Sequence, residues 1–169
     1  TVKLFRAPMP FLESLSLNNG RPQFQELAVR HLLEQGHTNI VCITGHLAKP
    51  TTQQRLDGVR DALGEQGLTL KDEQVFEGDY ESQSGFDAMQ RILALKPRPT
   101  AVFAFDDPMA IGAICAAWEA GVKVPDDISV ASIDDFPWAG AFRPGLTVAR
   151  QPVAEFAQHA LRLFRKRFA

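Results

Sequence analysis

Short apolar runs and longer amphipathic segments take turns along most of this chain. The apolar runs are rich in Val, Ile, Phe and Ala, which is typical of buried strands. They lie at 40–44, 75–76, 101–105 and 128–133. The longer segments carry apolar residues at helical spacing, and several end at glycine. The predicted helices cover 23–35, 51–66, 82–95, 108–120 and 153–167.

Helix and strand therefore alternate regularly from residue 23 to residue 133. A strand–helix–strand unit returns the chain to the same edge of a sheet, so its two strands run parallel. We expect an α/β fold with a doubly wound parallel sheet, arranged as a flavodoxin-like three-layer sandwich. The strands at 40–44, 101–105 and 128–133 are expected at its centre. Residues 1–17 are expected to form loops with short extended pieces.

Composition excludes several classes of function. The net charge of −2 argues against a free-standing nucleic-acid binder, and no apolar run is long enough for a membrane span. The two cysteines, Cys42 and Cys115, lie in apolar segments and are expected to be buried free thiols in the reducing cytoplasm. The histidines lack metal-ligand spacing, and no nucleotide-binding or nucleophile motif is present. We therefore expect no catalytic residue, no cofactor and no metal.

Polar and aromatic residues follow the predicted strands where the strands end. Arg55 lies one turn into the helix after the first strand, behind a loop at 45–51, and Tyr80 follows the second strand. Aspartate pairs follow the other two strands at 106–107 and 134–135, with Trp138 slightly later. Ligands of parallel sheets bind beyond the carboxyl ends of the strands. Carboxylates, an arginine fork and aromatic faces together suit a polyhydroxylated ligand.

Each of these residues also has a purely structural interpretation. Asp107, just before Pro108, is expected to cap its helix. Asp106 is either a ligand contact or, in the structural interpretation, a solvated loop residue. Thr51 or Thr52 is expected to cap the helix that carries Arg55. Arg55 itself is an ordinary surface cation in this interpretation. Trp138 is then a loop anchor.

Residues 99–152 closely resemble the effector-binding domain of the lactose-repressor/galactose-repressor (LacI/GalR) family of bacterial regulators. The motifs PTAVF, DPMAIG, GVKVPDDISV, the DD pair and LTVARQP occur in the order and at the spacing of that family. The resemblance implies a periplasmic-binding-protein-like lobe. It implies an effector-sensing, dimerising domain that binds a carbohydrate or a carbohydrate derivative and modulates operator binding.

The resemblance also implies roles for individual residues. Arg55 of RLDGV binds effector hydroxyls or carbonyls, Tyr80 of GDYE stacks on the effector, and Asp134 accepts hydroxyl protons. Asp106 stands where the family usually has Asn or Ser, and Asn19 stands where it usually has Asp. The implied ligand-binding set is Lys49, Thr51, Arg55, Tyr80, Asp106, Asp134 and Trp138. The implied homodimer interface includes Ile111, Cys115 and Phe142.

Three segments correspond to parts of the family's two-lobed fold. Residues 1–18 resemble the last part of the first lobe, residues 19–150 the second lobe, and residues 151–169 the helix that returns to the first lobe. The DNA-binding helix-turn-helix is absent from this chain, so operator DNA is an expected partner through a domain outside it. Two alternatives are a periplasmic sugar-binding protein and a flavodoxin-like enzyme. No membrane partner is expected.

Overall fold

The computed structural model describes residues 23–134, 145–149 and 153–168. The helices are α1 (Gln23–Glu34), α2 (Pro50–Gly64), α3 (Ser82–Leu93), α4 (Asp107–Glu119) and α5 (Val153–Phe168). The strands are β1 (Ile40–Thr44), β2 (Val75–Glu77), β3 (Ala101–Ala104), β4 (Ser129–Ile133) and β5 (Thr147–Ala149). One 3-10 turn, Asp72–Gln74, precedes β2.

The strands form one parallel sheet in the order β2-β1-β3-β4-β5. Its central strands are β1, β3 and β4, which confirms the predicted centre. The register pairs Ile40 with Ala101, and Ala101 with Ser129. The edge strand β5 was not predicted, because three residues of mixed character carry too little pattern to separate a strand from a loop.

Helices cover both faces of this sheet. Right-handed crossovers place α2 on one face and place α3 and α4 on the other, because the chain reverses its direction across the sheet after β2. The packing agrees with this placement: α1 lies against α2 and against β3, β4 and β5, while α3 lies against α4. Strands β1 and β3 are completely buried between the layers. The predicted doubly wound, three-layer α/β fold is therefore confirmed.

Two glycines allow α3 and α4 to pack closely. A Cβ at Gly112 would overlap the carbonyl oxygen of Ser82, and a Cβ at Gly85 would overlap the backbone of Met109. The backbones of the two helices therefore meet without intervening side chains. This contact positions the first turn of α4, which begins at the end of β3.

The predicted capping residues of two helices were wrong. Asp106, not Asp107, caps α4: it has an extended backbone, and its Oδ1 accepts a hydrogen bond from the Met109 N–H at 3.0 Å. Neither Thr51 nor Thr52 caps α2; Lys49 occupies the N-cap position and Pro50 begins the helix. Proline fits there because the first N–H of a helix has no intrahelical partner.

Candidate functional site

The sheet has a topological switch point between β1 and β3. The chain leaves β1 toward one edge and leaves β3 toward the other, so helices α2 and α4 follow these neighbouring strands on opposite faces. Such a divergence opens a crevice beyond the carboxyl ends of the strands, where ligands of doubly wound sheets bind.

Arg55 bridges this switch point. It is half-buried in the second turn of α2, and its Nη1 donates a hydrogen bond to the carbonyl oxygen of Phe105 at 3.0 Å. Phe105 is completely buried directly after β3. The guanidinium is therefore held against the sheet, so the interpretation of Arg55 as an ordinary surface cation is wrong.

Asp106 lies next to this contact and is half-buried. Its partial burial raises the pKa of the Asp106 carboxyl to about 6, since desolvation disfavours the charged form. The Met109 N–H and the Arg55 charge lower that pKa, while the carboxylates of Asp107 and Asp134 raise it. Asp106 is thus an electrostatically strained helix cap at the ligand edge of the sheet.

Asp134 occupies the matching position on the neighbouring strand. The register pairs Ala104 with Ser132, so Asp106 and Asp134 each follow a paired residue by two positions. Asp134 is half-buried and adopts a left-handed backbone with φ of 75°, and its N–H donates to the Ala149 carbonyl at 3.0 Å. The charges of Arg55 and Asp134 both act on the Asp106 carboxyl, and these three residues are called the acid–arginine cluster.

A second cluster surrounds Tyr80. The Tyr80 hydroxyl lies 3.0 Å from the Oγ1 of the buried Thr52, and Lys49 Nζ lies 5.6 Å from the centre of the ring. The ring also covers Gly45, where a Cβ would overlap it. Tyr80 itself has a left-handed backbone with φ of 72°. Lys49, Thr52 and Tyr80 are named here the tyrosine cluster.

The loop between β1 and α2 is held by side chains on both sides. The Leu47 N–H donates to Glu77 Oε1 at 2.9 Å, and the Gln53 side-chain amide donates to the Leu47 carbonyl at 2.6 Å. The Lys49 N–H donates to the His46 carbonyl at 3.0 Å. These hydrogen bonds hold the loop that carries Lys49 in one conformation, and a loop held in this way lowers the entropic cost of binding.

The predicted contacts in this loop are only partly reproduced. Lys49 approaches Tyr80, whereas the side chain of Thr51 is exposed and its neighbour Thr52 makes the hydrogen bond to Tyr80. Thr52 and Gly45 were missed as site residues. A threonine doublet gives no sequence signal for which member faces the sheet, since that choice depends on where the helix begins.

The remaining predicted positions lie elsewhere. Trp138 and Phe142 fall outside the described residues. Ile111 and Cys115 are half-buried on the outer side of α4, one turn apart, and Trp118 follows on the same side with 53% of its surface exposed. Their role in an interface stays a prediction.

The two cysteines have different environments. Cys42 is completely buried, which raises the pKa of its thiol to about 12 and confirms the prediction of a buried free thiol. Cys115 is only half-buried, contrary to the expectation. Within the described ranges no group of three His, Cys, Asp or Glu side chains is placed to hold a metal ion. Nor is any helix of these ranges long and apolar enough to cross a bilayer.

Residues 29–169 match the periplasmic binding protein-like domain family. The chain is 47% identical over 137 residues to the HTH-type transcriptional repressor PurR of Erwinia tasmaniensis. That match covers 81% of this chain but 40% of the relative, so the chain spans about two fifths of its length.

Solved structures show the same similarity. A sugar-binding transcriptional regulator of the LacI family from Escherichia coli, in complex with phosphate, is 35% identical with a TM-score of 0.75. The alignment covers 80% of this chain and 49% of that one. A complex of the transcriptional regulator CelR with cellobiose is 31% identical with a TM-score of 0.76, and covers 88% of this chain and 45% of that one.

Proposed function

We propose that this chain, which belongs to the periplasmic binding protein-like domain family and, within it, to the LacI/GalR regulators, is the effector-sensing part of a bacterial transcriptional regulator. A small carbohydrate-like effector binds at the switch point of the sheet. Binding shifts the equilibrium between two arrangements of the lobes, and a DNA-binding domain outside this chain converts that shift into altered operator affinity.

The observation that carries this proposal is the acid–arginine cluster at the β1/β3 switch point. The Nη1 of Arg55 donates to the Phe105 carbonyl, and two aspartates follow matching positions of the neighbouring strands β3 and β4. The guanidinium supplies donors and the carboxylates supply acceptors. A ligand with several hydroxyl groups satisfies both, since each hydroxyl donates and accepts.

Tyr80 supplies the apolar part of the same proposed site. Its ring is anchored at the hydroxyl by Thr52 and at Gly45 by close packing. An aromatic ring held in this way gives a flat surface for the apolar face of a sugar ring without a large loss of side-chain entropy. Lys49 and Thr51 lie at the edge of this surface, and Trp138 completes the proposed contact set.

The regulator also pairs with a second copy of itself in this proposal. Ile111 and Cys115 of α4, with Phe142, form the centre of a two-fold contact, because an outward stripe of apolar residues is unfavourable in water. Helix α5 belongs to the first lobe in this proposal. Its exposed side chains Leu161 and Phe164, 58% and 62% exposed, pack against the rest of that lobe.

Regulation is favoured over transport by a periplasmic sugar-binding protein, because the relatives of this chain are named as transcriptional repressors and regulators. The same names support a cytoplasmic protein without catalytic activity. In this proposal residues 19–150 form the second lobe, residues 1–18 the end of the first lobe, and residues 151–169 the helix that returns to the first lobe.

A thermal-shift screen of the full-length protein against sugars, sugar derivatives and nucleobases tests the proposal. We expect at least one compound to raise the melting temperature, and the shift to be lost in Asp134→Asn. The matched control is Asp57→Asn, which removes an exposed carboxylate of α2 that pairs with Arg60. A shift that survives Asp134→Asn, or one lost equally in Asp57→Asn, contradicts the assigned site.

A further inference from the structure

The two aspartates of the acid–arginine cluster present acceptor oxygens at one edge of the sheet. Ala104 of β3 pairs with Ser132 of β4, and each aspartate follows its member of this pair by two residues. Neighbouring strands of a sheet lie about 4.8 Å apart. Oδ1 of Asp106 accepts the Met109 N–H, and no donor within the described ranges bonds its Oδ2. One carboxylate oxygen of Asp106 is therefore left for a ligand.

The charges around that oxygen come from three elements. Asp107 lies beside it on α4, Asp134 follows β4, and Arg55 approaches from α2. The Phe105 carbonyl takes one nitrogen of Arg55, and a guanidinium carries further N–H donors on its other nitrogens. The acceptor oxygens of Asp106 therefore lie beside the donors of Arg55, so this edge of the sheet offers both kinds of partner to a hydroxyl group.

We propose that Asp106 makes this site selective for uncharged polyhydroxylated rings and against anionic ligands such as sugar acids and sugar phosphates. The inference rests on the proposed function, because it assumes that the effector binds at the acid–arginine cluster. Adjacent hydroxyls donate to the oxygens of Asp106 and Asp134 and accept from Arg55. The anionic group of a sugar acid or sugar phosphate brings acceptors alone, so it can pair with Arg55 but meets the carboxylates without a proton to share.

Helix capping alone does not account for an aspartate at this position. Asparagine caps helices about as well as aspartate does and is cheaper to bury, since it carries no charge. The variant Asp106→Asn therefore keeps the hydrogen bond to Met109 and removes only the charge. This separates the proposed selectivity from a loss of folding.

Calorimetric titration of the full-length protein at about pH 8, where Asp106 is ionised, tests the inference. The probes are two neutral sugars with their acids, D-glucose with D-glucuronate and D-galactose with D-galacturonate, together with D-ribose and hypoxanthine. We expect a neutral sugar to bind, and its acid to bind at least about tenfold more weakly. In Asp106→Asn that ratio should fall to about threefold or less. Asp87→Asn, an exposed carboxylate on α3, is the control and should leave the ratio unchanged.

The outcomes separate the inference from the proposed function. A sugar acid that binds as tightly as its neutral parent, a ratio unchanged in Asp106→Asn, or binding of hypoxanthine alone overturns the selectivity. In each of these cases the proposed effector site still holds if Arg55→Lys weakens the binding of the ligand. If none of the probes and no compound of the thermal-shift screen binds, both the selectivity and the proposed function are overturned.

Discussion

The Nη1 atom of Arg55 lies 3.0 Å from the carbonyl oxygen of Phe105, so that helix α2 is tied to the end of strand β3 across the switch point of the sheet. Arg55 follows β1 in the chain, and Phe105 directly follows β3. The contact therefore joins the helix that follows β1 to the end of the neighbouring strand β3. It holds one nitrogen of the guanidinium at the edge of the sheet where doubly wound folds bind their ligands.

Replacing Arg55 by lysine should weaken effector binding strongly. A lysine ammonium has no planar fork, so it cannot hold the Phe105 carbonyl and a ligand oxygen in the same fixed geometry. We expect a loss of about 1.5–3 kcal/mol in binding free energy, the range for hydrogen bonds to charged groups, measured by calorimetry. Arg60→Lys, on the exposed side of α2, is the control. An affinity equal to that of the unmodified protein would remove Arg55 from the site.

Two substitutions at Asp134 should separate its charge from its backbone. Asparagine tolerates the left-handed conformation found there, whereas alanine does not tolerate it well. Asp134→Asn should weaken effector binding by about 1.5–3 kcal/mol with little change in stability. Asp134→Ala should weaken binding similarly and also lower the free energy of unfolding by about 1 kcal/mol. Equal stability of the two variants in urea would contradict the assigned backbone strain.

Asp106→Asn should stabilise the protein more at pH 8 than at pH 4. The pKa of Asp106 rises from 3.8 in the unfolded chain to about 6 in the folded protein, because of its partial burial. Between these values the folded protein binds more protons, so this carboxyl lowers the free energy of unfolding as the pH rises. The destabilisation is complete above about pH 6, where Asp106 is ionised in the folded and in the unfolded chain. Asparagine does not ionise, so the variant lacks this destabilisation.

Melting temperatures of the two proteins across this pH range measure the effect. The difference, variant minus parent, should grow from pH 4 to about pH 7 and then level off. Asp87→Asn serves as the control, with a difference that does not follow this course. A difference that shrinks as the pH rises would mean that Asp106 is stabilised as the anion.

Gly45→Ala should displace Tyr80. The new methyl group would overlap the tyrosine ring, which is held in place by Thr52. We expect a loss of about 1–3 kcal/mol in stability from overpacking, together with weaker effector binding. At Gly64, the last residue of α2, an added Cβ meets no atom within 4 Å. Gly64→Ala should therefore be neutral or stabilise by about 0.4–1 kcal/mol. Similar losses for both variants in chemical denaturation would contradict this difference.

Ile111→Glu should dissociate the proposed dimer while leaving the lobe folded. The residue is half-buried on the outer side of α4, so a charge there points away from the core but into a two-fold apolar contact. Sedimentation velocity of the full-length protein at micromolar concentration should show a monomer for this variant. Gln90→Glu, at an exposed position of α3, should remain dimeric. A monomeric parent protein would disprove the assigned interface.

The local pattern of the chain determined the architecture. Buried parallel strands need uninterrupted apolar runs, and the helices between them need one apolar face, so both kinds of element can be recognised within about ten residues. The same pattern placed Arg55, Asp106 and Asp134 beyond strand ends, because a residue that follows a parallel strand must lie at its carboxyl edge. The three-residue strand β5 lacked such a pattern and was missed.

The contacts within the site were decided only by the tertiary structure. That Asp106 rather than Asp107 caps α4 depends on where β3 ends and where the close packing of α3 allows the helix to start. That Thr52 rather than Thr51 meets Tyr80 depends on the rotation of α2 about its axis. The bond from Arg55 to Phe105 depends on β1 and β3 being neighbours. Each is a relation between segments distant in the chain, which short-range periodicity does not encode.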